Sequence, residues 1–178
     1  MKYSDIIPFI RAGSYEVDVS LSSLEKTLEF FEKDYGLELN PDFQRGHVWT
    51  EAQQVAYLEF LFRGGVSAKV IYFNSPAFGT RDADSDLPDT VVCVDGLQRL
   101  TAAIRFLHNE IKVFGHYFNE FEGSPRVMQG LRFNVNSLQK KADILQWYIE
   151  FNSGGTIHTK EEIERVQKML EEERRRKE

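Results

Sequence analysis

Apolar and polar residues alternate with period two over residues 15–19 (Tyr-Glu-Val-Asp-Val), which predicts a short strand. The spacing then changes. Leu24, Leu28 and Phe31 fall on one side of a helix over 24–34, capped by Ser22 or Ser23 and carrying Glu25 in its first turn. Gly36 and Asn40-Pro41 break the chain. Residues 41–49 have no period and read as an extended loop. Thr50 is an N-cap for a helix over 51–63, with Gln53 at the capping-box position and a stripe of Val55, Leu58 and Phe62. Gly64-Gly65 ends that helix.

The β-branched and aromatic run over 69–73 predicts a second strand, and the apolar run over 91–94 a buried third. The two can pair antiparallel across the polar, turn-prone loop of 74–90. Asp95-Gly96 closes the third strand, and a helix over 97–109 follows at once with Leu97, Leu100, Ile104 and Leu107 on one face. Residues 111–118 and 131–135 are further strand candidates around a loop with Gly123 and Pro125. A helix over 138–151 shows Leu138, Ala142, Leu145 and Ile149, and Asn152-Ser153-Gly154-Gly155 terminates it. Thr159 caps a last helix over 160–175, with Glu162 at the capping-box position and Ile163, Val166 and Leu170 inside. Strands and helices mix without regular β-α-β alternation, so the expected fold class is α+β, as a single domain over residues 1–178.

Composition narrows the function classes. The 178 residues are 42% apolar with 14 Phe, enough for a core without staples. The single cysteine, Cys93, excludes a disulfide framework and a Cys-based zinc site. No apolar run approaches the roughly 18–20 residues of a membrane span, and the N-terminus has no signal-peptide pattern, so a cytoplasmic protein is expected. A net charge of −6 argues against coating nucleic acid by bulk electrostatics. The basic run Arg174-Arg175-Arg176-Lys177 follows Glu171-Glu172-Glu173 and suits a solvated helix end.

Several known chemistries lack their residues. There is no P-loop, no G-x-S-x-G, no H-E-x-x-H and no G-x-G-x-x-G. Asp82-Ala83-Asp84-Ser85-Asp86 begins like a calcium loop, but Leu87 and Cys93 stand where the turn glycine and the bidentate acid are needed. His47, His108, His116 and His158 have no paired ligand spacing.

Three segments do carry chemistry. In Val94-Asp95-Gly96-Leu97-Gln98-Arg99-Leu100-Thr101 a buried strand runs into a helix start, where first-turn amides favour an anion. Gly96 lets a ligand approach the backbone, Arg99 can fork onto phosphate oxygens, and Asp95 can bind magnesium or orient water. The structural alternative is that Asp95 caps the helix, Gly96 turns and Arg99 is solvated. Gln44-Arg45, in the irregular segment between Pro41 and Trp49, could add a second amide and guanidinium to one phosphate-bearing ligand. Its alternative is an ion pair for Arg45, with Phe43 and Trp49 filling the core. Asn152-Ser153-Gly154-Gly155 can form an anion-binding nest or simply a helix stop.

Taken in order, Pro41-x-Phe43-Gln44-Arg45-x-x-Val48-Trp49, the Asp95 segment, and Phe151-Asn152-Ser153-Gly154-Gly155-x-x-x-Thr159-x-x-Glu162 resemble the GmrS-like domain. This is the N-terminal, ParB/sulfiredoxin-type domain of GmrSD modification-dependent restriction enzymes, whose hallmark is a D-G-Q-Q-R motif followed by L-T. The resemblance spans roughly residues 20–165. It implies a ParB/sulfiredoxin-like α+β fold and nucleoside triphosphate binding and hydrolysis with Mg²⁺. It also implies a link to DNA restriction and phage defence, with nuclease activity here or on a separate HNH chain. Carried over by match, Asp95, Gln98, Arg99 and Arg45 are the expected catalytic residues, with Asp95 toward the metal. Gly96, Gln44, Arg45, Gln98, Arg99, Thr101 and Asn152 are the expected nucleotide and phosphate contacts. Leu97 stands where the motif has its first Gln, and no HNH module is expected in this chain. The other reading is therefore a non-catalytic nucleotide- or DNA-sensing module that regulates or inhibits a partner restriction nuclease.

Overall fold

Strand-forming and helix-forming patterns meet in a four-stranded sheet covered on both faces. The computed structural model describes residue 2 and residues 15–44, 46, 48–123, 130–153 and 160–176. Strands β1 (Tyr15–Val19), β2 (Val70–Asn74), β3 (Val92–Asp95) and β4 (Leu131–Asn136) lie in the order β1-β4-β2-β3. β1 runs antiparallel to β4, β4 parallel to β2, and β2 antiparallel to β3. Among the described residues five α-helices accompany them: α1 (Leu24–Tyr35), α2 (Glu51–Phe62), α3 (Leu97–Leu107), α4 (Lys141–Ser153) and α5 (Lys160–Arg175). The fold is α+β, as the mixed order of elements predicts.

Period-two alternation sorts the two cores. Ile71, Phe73, Cys93, Leu131, Phe133 and Val135 point to one face and pack on Leu28 and Phe31 of α1, Leu58 and Leu61 of α2, and Leu100 and Phe106 of α3. On the other face Val94 joins Phe43, Ile144, Leu145 and Trp147 of α4, and Val166 and Leu170 of α5. That second face is less apolar. Arg132, Asn134 and Asn136 of β4 and Tyr72 and Asn74 of β2 alternate onto it.

Local signals explain most boundaries. α1 stops at Gly36, whose φ of +66° is left-handed. The Thr50–Gln53 capping box forms, with Gln53 N donating to Thr50 Oγ1 and Thr50 N donating to Gln53 Oε1. Three expectations shift. Residues 111–118 make no strand; Val113 and His116 only bridge a tight turn at Phe114-Gly115. α4 starts at Lys141, three residues after Leu138, because Asn74 takes both of Leu138's backbone groups. Leu138 N donates to Asn74 Oδ1 at 2.8 Å, and Asn74 Nδ2 donates to Leu138 O at 3.1 Å. β3 ends one residue later than the apolar run, at Asp95. The proposed cap Thr159 lies outside the described residues.

Candidate functional site

The junction between β3 and α3 is built around an irregularity. Phe73 pairs with Cys93, yet Tyr72 pairs with Asp95, so Val94 is an extra residue that bulges the strand. Without the bulge Asp95 would share the buried face of Cys93. With it, Asp95 stands beside Tyr72 on the sheet face toward α4. Tyr72 pairs in turn with Asn134, and Asn134 with Glu16. One polar row, Glu16–Asn134–Tyr72–Asp95, therefore crosses all four strands.

Gly96 follows with φ +112° and is the N-cap of α3. A Cβ here would come within 2.7 Å of Ile71 Cδ1 and 3.2 Å of Ile71 Cα. The need for glycine thus comes from packing on β2. With no side chain at the cap, Asp95 is free of a capping role and instead forms an ion pair with Arg99, one turn into α3. The two side chains are 21% and 19% exposed, so the pair is mostly buried but still reaches solvent.

The surroundings are aromatic. The Tyr72 ring meets Trp147 edge-on at 5.7 Å and Phe151 at 5.0 Å. Burial raises the Tyr72 phenol above its ordinary range, Asp95 adds to the shift, Arg99 opposes it, and Glu16 adds a little more. Burial likewise pushes up the Tyr57 phenol, against a pull from Arg99, and the Cys93 thiol, which Asp95 raises further. A fully buried, protonated thiol is no nucleophile.

The loop over residues 41–49 closes against this junction. Gln44 Nε2 donates to Cys93 O at 2.8 Å and Val94 O at 3.0 Å, bracketing the bulge. Gln98 Oε1 accepts from Val48 N at 2.9 Å and Trp49 N at 3.0 Å, while its Nε2 donates to Gly46 O at 2.6 Å. The Gln98 amide and the Gln44 Nε2 are occupied by backbone and act as positioning groups. Thr101 Oγ1 donates to Leu97 O within α3, at 2.8 Å. Phe43 anchors the loop in the α4–α5 core against Tyr148, and Trp49 packs on Tyr57.

Two helix residues hold the loop from below. Lys141 Nζ pairs with Asp42 at 2.9 Å. Arg165 of α5 donates to three consecutive carbonyls, Asp42 O at 2.6 Å, Phe43 O at 2.9 Å and Gln44 O at 3.1 Å. Arg165 had no local signal: in a charged helix it reads as a solvated cation. Tyr72 and Asn134 were equally hidden, since the strand register that aligns them with Asp95 joins segments far apart in sequence.

Gln44, Asp95, Gly96, Gln98, Arg99 and Thr101 are thus brought to one junction. Arg45 lies outside the described residues, and so does the side chain of Asn152, whose backbone lies in the last turn of α4. Among the described residues no three His, Cys, Asp or Glu side chains form a metal cage. Nor is any helix of those residues long and apolar enough to cross a membrane. A family model described as "GmrSD restriction endonuclease, N-terminal domain" matches residues 27–175. No curated protein and no solved structure gave a match.

Proposed function

Since the chain belongs to the family of GmrSD restriction endonuclease N-terminal domains, we propose that it binds a nucleoside triphosphate at the β3–α3 junction and hydrolyses it in the service of DNA restriction. The observation that carries the reading is the bulge at Val94. It turns an acid that strand alternation would bury toward a partly open junction, and sets Arg99 against it. A purely structural ion pair would need no such irregularity.

In this reading Arg99 neutralises phosphate charge, with Arg45 as a second guanidinium on the strength of its motif. Asp95 holds Mg²⁺ or orients the attacking water. The donor set suits a magnesium ion that arrives with the nucleotide, because Mg²⁺ commonly takes one or two carboxylates plus phosphate oxygens and water. When bound, the ion would supply charge neutralisation. Gln44 and Gln98 hold the 41–49 loop over the junction, and Thr101 stiffens the first turn of α3. Asn152 remains a contact by motif. Catalysis by fixed charges and positioned groups suits phosphoryl transfer. The ParB/sulfiredoxin type of fold belongs to the same proposal, as do DNA and a separate HNH nuclease chain as partners.

Leu97 is compatible with turnover. It is buried in the core beside Leu100, so replacing the motif's Gln at this position removes no group from the mouth of the site. The test is phosphate release from ATP, GTP, CTP and UTP with Mg²⁺, with and without DNA, comparing wild type with Asp95→Ala and Arg99→Ala. Turnover lost in both variants at unchanged thermal unfolding is the expected result. Full turnover in the Arg99 variant would refute the assignment. Binding without turnover in any condition would leave the regulatory module as the function.

A further inference from the structure

The polar row does not end at Tyr72. Asn134 is 4% exposed, and its Nδ2 donates to Glu16 Oε1 at 2.5 Å. An ionised carboxylate can only accept, so this bond fixes which way the amide faces. Asn134 Oδ1 is left buried without a partner. Two residues on and on the same face, Asn136 is 0% exposed with neither amide atom partnered. Its cross-strand neighbour Asn74 is occupied by the backbone of Leu138. The great majority of buried polar atoms are satisfied, so an orphaned acceptor in the same row as the β3–α3 junction calls for a donor that a ligand could bring.

Two further features fit one class of ligand. Asn134 lies two strands from Asp95, about 10 Å at the usual spacing of 4.7–4.9 Å. That suits a molecule with phosphates at Asp95–Arg99 and a ring further along the row. Between the two lies Tyr72, partly open, with Phe151 at its side 42% exposed. Aromatic rings at such a place offer a stacking surface for a flat heterocycle.

The geometry points to a nucleobase site on the α4 face of the sheet, where Asn134 Oδ1 accepts from an exocyclic amine and Tyr72 and Phe151 flank the base. This inference rests on the nucleotide reading above and deepens it: the site selects amino-bearing bases over their keto counterparts.

The experiment is calorimetric binding of ATP, ITP, CTP, UTP and inorganic tripolyphosphate to the full chain with Mg²⁺. Wild type binds ATP more tightly than ITP, and CTP more tightly than UTP, by about tenfold, the size expected when a buried acceptor loses its donor. Asn134→Leu brings both ratios close to one and leaves tripolyphosphate unchanged. Phe151→Ala, at a 42% exposed position, weakens all four nucleotides by roughly tenfold and again spares tripolyphosphate, at a thermal unfolding midpoint unchanged by loss of its contacts with Tyr72 and Trp147. Equal binding of amino and keto bases by wild type, or ratios unchanged in Asn134→Leu, overturns the inference while nucleotide binding stands. Should neither nucleotides nor tripolyphosphate bind, the nucleotide reading falls and this inference with it.

Discussion

Gln98→Ala separates a loop clamp from a ligand contact. The wild-type amide makes three bonds to the 41–49 loop, accepting from Val48 N and Trp49 N and donating to Gly46 O. Each such bond contributes about 0.5–1.5 kcal/mol net, and Val48 is exposed enough for water to replace part of it. The expected loss is about 2 kcal/mol, confined to the loop, which is roughly a 30-fold rise in local opening. Amide hydrogen exchange at Val48 and Trp49 reads it directly, with the sheet amides as internal controls. Gln98→Glu keeps both acceptor bonds but sets a carboxylate oxygen against Gly46 O, so it should fall between the two, near 1 kcal/mol. If exchange at Val48 and Trp49 stays within threefold of wild type in Gln98→Ala, the clamp is wrong. If phosphate release is also lost in that case, Gln98 touches the nucleotide instead.

Three other outcomes follow from the same geometry. Gly96→Ala meets both a left-handed φ and Ile71, and should lower the urea-unfolding free energy by about 2–4 kcal/mol; a change under 1 kcal/mol would mean that β2 yields easily. Arg165→Ala frees three loop carbonyls and should speed exchange at Gln44 while costing about 1 kcal/mol of global stability, with Arg165→Lys recovering only part; equal behaviour of the two variants would show that charge alone matters. Asp18 lies in a two-point pair with Arg132, which holds its carboxyl below the usual 3.8 mainly through the hydrogen bond. Its stabilising contribution is present above the unfolded value and lost as pH falls through the lower folded one. NMR titration of Asp18 should move up in Arg132→Gln, and an unmoved midpoint would break the assignment.

Local chemistry was legible in the sequence wherever it depended on neighbours in the chain. The capping box at Thr50 and Gln53, the stop at Gly36 and the strand-to-helix turn at Gly96 all follow from residues a few positions apart. The motifs also gathered Gln44, Asp95, Gln98 and Arg99 into one site, as the junction does. Their division of labour was not legible. Gln44 and Gln98 read as phosphate groups until their amides are seen bonded to Cys93, Val94, Gly46, Val48 and Trp49. A one-residue slip in β3 decides which way Asp95 points, and alternation alone predicts the opposite face. The delayed start of α4 likewise depends on Asn74, over 60 residues earlier.

The hold of Arg165 on the loop joins positions separated by as much as 123 residues, and β1 pairs with β4 across a similar interval. Contacts of such long sequence separation form late, because their loop-closure cost comes before their reward. At about 5–20 residues per second, the ribosome releases the 41–49 segment several seconds before α5 exists. Through that interval a nascent chain has the 41–49 loop but not the Arg165 contacts that α5 brings to it. The loop carbonyls of Asp42, Phe43 and Gln44 gain their shared donor only when α5 docks, so a chain cut before Arg165 lacks that hold on the loop.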